Sequence, residues 1–179
     1  MILTLSKDYL QETIDKIVGT HLRVQVADGD LYTNAVQCVK NAFDTAEAYT
    51  NRVISPSAVV IDITIDTTTM VELPTAPVTS VTKVVVNGSE VKGVEVISNA
   101  QRAVLVLPTV PEGETMHVVV EALVGYDEET LPGTIYQAVA LMSGTFFEFT
   151  ADNHEGSVSE LPTSAKSLLS LYRIYPYGT

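Results

Sequence analysis

The run Val81-Thr82-Lys83-Val84-Val85-Val86-Asn87-Gly88-Ser89-Glu90-Val91-Lys92 sets the character of the middle of this chain. Branched Cβ atoms favour the pleated strand over the helix. Asn-Gly supplies the two positive-φ residues of a tight hairpin turn. The run predicts two antiparallel strands that meet at Asn87 and Gly88. The same texture continues on both sides, in Val59 to Ile65, Val94 to Ser98, Ala103 to Leu107 and Met116 to Val124, with Pro74, Pro77, Pro108, Pro111 and Gly113 as punctuation. Five or six strands result. No helical period interrupts them, so residues 55–125 are expected to form an antiparallel sandwich or barrel-like region.

Outside that region the apolar spacing changes from two to about 3.6. Ser6 is placed to cap a short helix with Leu10, Ile14, Ile17 and Val18 on one face and Gly19 as its stop. After the connector from His21 to Ala27, Asp28 or Asp30 can cap a second helix. Its stripe, Tyr32, Ala35, Val36, Val39, Ala42, Phe43, Ala46 and Tyr49, runs five turns. Beyond the strands, Leu131-Pro132 opens a third helix through Ile135, Ala138, Val139, Met142, Phe146 and Phe149, and Leu161-Pro162 opens a fourth through Ala165, Leu168, Leu169 and Tyr172. One-sided helices of this length do not hold alone. The expected fold is therefore α+β: a four-helix bundle from residues 1–54 and 126–179, with residues 55–125 inserted and the ends of the insertion close together.

Chemistry-bearing residues are scattered. His21 falls in a turn, His117 in an alternating strand and His154 in a polar loop, without the shared spacing of a metal site. Cys38 is the single cysteine; it sits mid-helix beside Val39, with no CxxC and nothing to activate it. Asp62 and Asp66 fall on one face of a strand beside Thr64, a pair that could in principle hold a divalent ion or do acid-base work but that reads better as a solvated face. Tyr126-Asp127-Glu128-Glu129 precedes the third helix, where acidic groups favour the helix dipole. No Gly-rich phosphate loop, Walker-type lysine or GxSxG is present. The expectation is a non-enzyme with no cofactor and no metal.

The order of these motifs resembles the head-tail connector (adaptor) proteins of tailed bacteriophages, also described as DNA-packaging or head-completion connectors. Leu22-Arg23-Val24 after the first helix, Ala46-Glu47-Ala48-Tyr49-Thr50-Asn51-Arg52 closing the second, and Leu73-Pro74-Thr75-Ala76-Pro77-Val78 before Ser80-Val81 each resemble that family at the corresponding place. So do Val124-Gly125-Tyr126 with Leu131-Pro132, and Leu161-Pro162, Leu168-Leu169 and Tyr172-Arg173 at the end. The resemblance implies a structural subunit that forms a homo-oligomeric ring, usually dodecameric, between the capsid portal and the next neck or tail protein. Such a protein is made in the host bacterial cytoplasm, ends in the virion and extends the DNA channel. Within that frame, Tyr172, Arg173, Ile174, Tyr175 and Tyr177 are candidates for portal docking, since Tyr and Arg favour interfaces. The Asn87-Gly88 tip is a candidate for contact with neighbours or tail.

Composition agrees. The 179 residues are 46% hydrophobic and only 18% charged, with 22 acids against 10 bases, a net charge of -12. By zone there are seven acids to five bases over residues 1–54, eight to three over 55–125 and seven to two over 126–179, so no basic patch hides in the average. Gripping a phosphate backbone needs clustered Lys and Arg. An acidic conduit instead lets DNA slide. Nothing in the start MILTLSKDYL reads as a signal peptide, and no apolar run approaches the ~20 residues of a membrane span. The alternative, a protein- or carbohydrate-binding β module on a helical scaffold, predicts exposed aromatic residues among the strands. The chain has no Trp, and residues 55–125 contain neither Phe nor Tyr.

Overall fold

A computed structural model describes residues 1–99, 102–109, 112–151 and 162–174. The chain is α+β and divides into two units, one built on Met1–Asp8 with Arg52–Tyr126, the other on Tyr9–Asn51 with Asp127–Arg173.

The first unit is two antiparallel sheets. Strands β1 (Ile2–Lys7), β2 (Ser57–Asp66), β8 (Thr115–Val124), β4 (Val78–Val86) and β5 (Ser89–Glu90) lie in that order in one sheet. Strands β3 (Met70–Leu73), β7 (Ala103–Val106) and β6 (Glu95–Ser98) form the other. The central ladder pairs β2 with β8 over ten residues, from Ser57 opposite Val124 to Asp66 opposite Thr115. Period-two alternation then sorts the side chains. Val59, Ile61, Val118, Val120, Val84 and Val86 of the larger sheet face one core with Val71, Leu73, Ala103 and Leu105 of the smaller. The Asn87-Gly88 hairpin forms as expected, with φ of 50° and 80° at the two turn residues.

The N-terminus departs from the sequence reading. Ser6 caps no helix; it lies in β1 opposite Ala58. Leu3, Thr4, Leu5 and Ser6 alternate apolar with polar, which favours a strand once an edge is available, and β2 offers that edge about 55 residues away. The start of the chain therefore joins the sheets rather than the helices, and β3 is a further strand the sequence left unread.

The second unit holds α1 (Gln11–Ile17), α2 (Asp30–Thr50), α3 (Gly133–Ala151) and α4 (Thr163–Ser170). Helix α2 packs on α3, α4 packs on both, and α1 packs on α2. Ala35, Cys38, Val39, Ala42, Phe43 and Ala46 of α2 are buried, as are Ile135, Ala138, Val139 and Met142 of α3 and Ala165 and Leu169 of α4. Small residues at Ala35, Ala42 and Ala46 let the helix axes approach. Phe149, expected on the inner stripe of α3, is exposed. Gly19 does not stop α1: the chain continues as a wider π turn over Val18–Leu22 and breaks at Arg23, which takes the left-handed conformation at φ 58°. Neither Asp28 nor Asp30 caps α2, whose N-cap is Gly29. Asp28 instead closes the preceding 3-10 turn, its carboxylate accepting the Gln25 N–H at 2.7 Å.

Candidate assembly surfaces

The residues most able to do chemistry are engaged singly. His117 Nε2 lies 2.9 Å from Asp62 Oδ1, with both side chains about half exposed, and the backbone of His117 is tied to the hairpin: its N–H donates to Asn87 Oδ1 and its carbonyl accepts the Asn87 N–H. Asp66 stands four residues along the same strand from Asp62. A strand rises about 3.3 Å per residue, so their Cα atoms are about 13 Å apart, too far for both carboxylates to hold one ion. Among the described residues no three His, Cys, Asp or Glu side chains gather as a metal site. The rings of His21 and Tyr136 meet edge to face, with centroids 5.7 Å apart. Cys38 is buried. His154 lies outside the described residues.

The ends of the β stretch are fastened together. The Tyr126 N–H donates to Ile54 O at 2.8 Å and the Gly125 N–H to Pro77 O at 3.0 Å. Arg52 is almost wholly buried here, and its guanidinium donates to Ala76 O at 2.8 Å and to the Tyr126 hydroxyl at 3.3 Å. A buried guanidinium is tolerable because its donors find acceptors. Gly125 has φ +100°, and a Cβ there would lie 2.4 Å from Ser55 O. Only glycine fits this approach.

The acidic run after Tyr126 serves α1 more than α3. Both oxygens of Glu128 accept from the start of α1: Glu12 N–H at 2.9 Å, Thr13 N–H at 3.1 Å and the Thr13 hydroxyl. These satisfy donors that the first turn of a helix leaves open, since Leu10 at the N-cap has no side-chain acceptor. Asp127 closes its own turn, accepting from the Thr130 hydroxyl at 2.6 Å, the Thr130 N–H at 2.7 Å and the Glu129 N–H at 3.1 Å. The Thr130 hydroxyl, then its N–H, holds the Asp127 carboxyl below the usual carboxylate range.

Several cations are engaged within the chain. Lys16 stands over the Tyr136 ring at 5.4 Å, Lys40 over Tyr9 at 5.2 Å and Arg173 over Tyr49 at 5.2 Å. Arg102 forms a two-pronged pair with Glu72 at 2.8 and 2.9 Å. Of the candidate docking tail, Tyr172 ends the turn after α4, Arg173 lies over Tyr49, and Ile174 is half-buried. Tyr175 and Tyr177 lie outside the described residues. Asn87 and Gly88 are exposed at the hairpin tip. Apolar side chains also stay in the open on β1 (Leu3, Leu5), β8 (Leu123) and α3 (Leu141, Phe149).

No protein-family model matches the chain, and no curated protein matches it. Solved structures do, over the whole length. A chain in the neck of an empty GTA particle computed with C6 symmetry is 20% identical, with a TM-score of 0.70; the comparison covers 100% of this chain and 98% of that one. A chain in the virion of a native gene transfer agent particle gives 18% and 0.67, and one in the neck of a native GTA particle computed with C12 symmetry gives 19% and 0.62, at the same coverages. The fold is that of a virion neck chain. In particular, the likeness to the neck chains of gene transfer agent particles runs the length of this chain and is not confined to one of its two units. No helix among the described residues is long and apolar enough to cross a membrane.

Proposed function

We propose that this chain is a structural subunit of a virion neck, a head-tail connector that assembles into a ring between the capsid portal and the next neck or tail protein and extends the DNA channel. The observation that carries this is the end-to-end likeness of fold to neck chains, with a TM-score of 0.70 at full coverage. Charge supports it. A net -12, with four of the ten cations turned to tyrosine rings or a carboxylate, leaves little to hold phosphate. DNA can then pass through the lumen without specific binding. A ring of twelve is compatible with both the C6 and the C12 symmetry of the neck reconstructions.

In this reading the helices at the two ends of the chain act as the bundle that builds the ring, and the segment 55–125 is a β insertion that faces neighbours or the tail through its Asn87-Gly88 tip. The C-terminal residues from Tyr172 onward dock on the portal. Electron microscopy of the chain alone and mixed with its portal tests the reading. Rings coaxial with the portal are expected. A chain that never associates with portal refutes the assignment.

A further inference from the structure

Asn87 and Gly88 bring a reactive pair of groups to the hairpin tip. Both residues are exposed, as are Ser89 and Glu90 after them. Asn87 is held twice by one residue of β8: its N–H donates to His117 O at 2.9 Å, and its Oδ1 accepts the His117 N–H at 2.9 Å. Among the described residues no hydrogen bond takes the Gly88 N–H, and open space surrounds Gly88 where a Cβ would stand. The chain has six asparagines, and Asn87 alone is followed by glycine; Asn34, Asn41 and Asn99 precede alanine, Asn51 precedes arginine and Asn153 histidine.

We propose that Asn87 is a site of spontaneous covalent modification, in which the Gly88 nitrogen attacks the Asn87 side-chain amide and water completes its conversion to aspartate or isoaspartate. The Gly88 N–H gives up its proton to solvent base, its nitrogen bonds to Asn87 Cγ, and the side-chain nitrogen takes a proton and leaves as ammonia. The product is a five-membered cyclic imide. Water then adds to one of its two carbonyl carbons, and the ring C–N bond at that carbon breaks. Opening at Cγ leaves isoaspartate's main chain unmade and restores the native backbone as aspartate; opening at the main-chain carbonyl leaves isoaspartate, whose backbone runs through the side chain and is longer by one methylene. Glycine permits the attack, since a Cβ on the next residue would crowd the nitrogen. His117 sets the rate. The N–H and Oδ1 of Asn87 reach the same residue, so the carboxamide lies on the amino side of Asn87, whereas the attacking nitrogen is on its carboxyl side. The ring can close only after Asn87 comes away from His117. Two hydrogen bonds of ordinary net strength hold it there by a factor of about 30. Either product adds a negative charge to the tip, and in isoaspartate the two-residue loop between Val86 and Ser89 outgrows its register. The reaction needs no partner and is independent of the neck assignment.

Peptide mapping by mass spectrometry tests this on the full-length chain, incubated at mildly alkaline pH both folded and in guanidinium chloride, with isoaspartyl methyltransferase labelling to separate the two products. Product is expected at residue 87 before any other asparagine reacts, and about 30-fold more slowly in the folded chain than in the unfolded one. Raising the pH should speed the reaction, because base removes the Gly88 proton. Gly88→Ala should suppress it in the unfolded chain as well as in the folded one, where the added methyl meets nothing within 4 Å. Product appearing first at another asparagine, no product at residue 87 in the folded chain, a folded rate equal to the unfolded one, or Gly88→Ala reacting as fast as the wild type each overturns the inference.

Discussion

Replacing Gly125 by alanine should be the most damaging single-methyl change in the β unit. The site has φ +100°, which strains an L residue by about 1–3 kcal/mol. The new Cβ would also meet backbone, at 2.4 Å from Ser55 O, 2.7 Å from Ser55 C and 3.0 Å from Ile54 O. Backbone cannot swing aside as a side chain can, so strand end and linker must part. That movement strains the bonds from Tyr126 N–H to Ile54 O and from Gly125 N–H to Pro77 O, each worth about 1 kcal/mol net. Together the loss is about 3–5 kcal/mol. For a chain of this length a kcal/mol moves the melting point by about 2–4 °C, so the midpoint should fall by roughly 6–20 °C. Gly88→Ala is the control: its φ is +80°, but nothing stands within 4 Å of the added methyl, and only the backbone strain of about 1–2 kcal/mol applies. Thermal melts followed by circular dichroism compare the two. If Gly125→Ala melts no lower than Gly88→Ala, the close approach to Ser55 is not what the site requires.

Glu128→Ala should destabilise the start of α1 by about 1–2 kcal/mol, as loss of a cap does, and hydrogen exchange at the Glu12 and Thr13 amides should accelerate while α2 is unaffected. Arg52→Met should cost about 2–3 kcal/mol by leaving Ala76 O and the Tyr126 hydroxyl without a charged donor; urea melts of the variant and of Tyr126→Phe should show the two changes to be non-additive. The Asp127 carboxyl, held below its unfolded value by Thr130, contributes stability that is present above about pH 4 and lost as pH falls through the lowered folded value. The melting gap between wild type and Asp127→Ala should accordingly narrow in acid, and a gap constant from pH 7 to pH 2.5 would refute the assignment.

The β hairpin was legible because its signals are local: valines for the strands, and Asn87 and Gly88 for a turn that needs positive φ twice. The α2 stripe was equally legible, since Ala35, Val39, Ala42 and Ala46 recur at the helical period and all four are buried. The first residues were misread for the opposite reason. Ile2 to Ser6 become an edge strand only when β2 lies alongside, and nothing within ten residues announces that partner. Sequence proximity assigns Glu128 to the helix that follows it, whereas its carboxylate oxygens serve α1, 115 residues earlier. A carboxylate binds whichever open N–H groups the fold brings near, and sequence distance does not enter.

By itself the sequence determined the alternation of helical and strand periods, the antiparallel character of the middle and a strongly negative net charge, because propensity, periodicity and charge act over a few residues or sum over the chain. Tertiary structure alone decided that Met1–Asp8 joins the sheets, that Glu128 caps α1, that Gly125 must be glycine and that Phe149 stays exposed on α3. Each of those depends on which distant groups become neighbours, and that choice belongs to the packing of the whole chain.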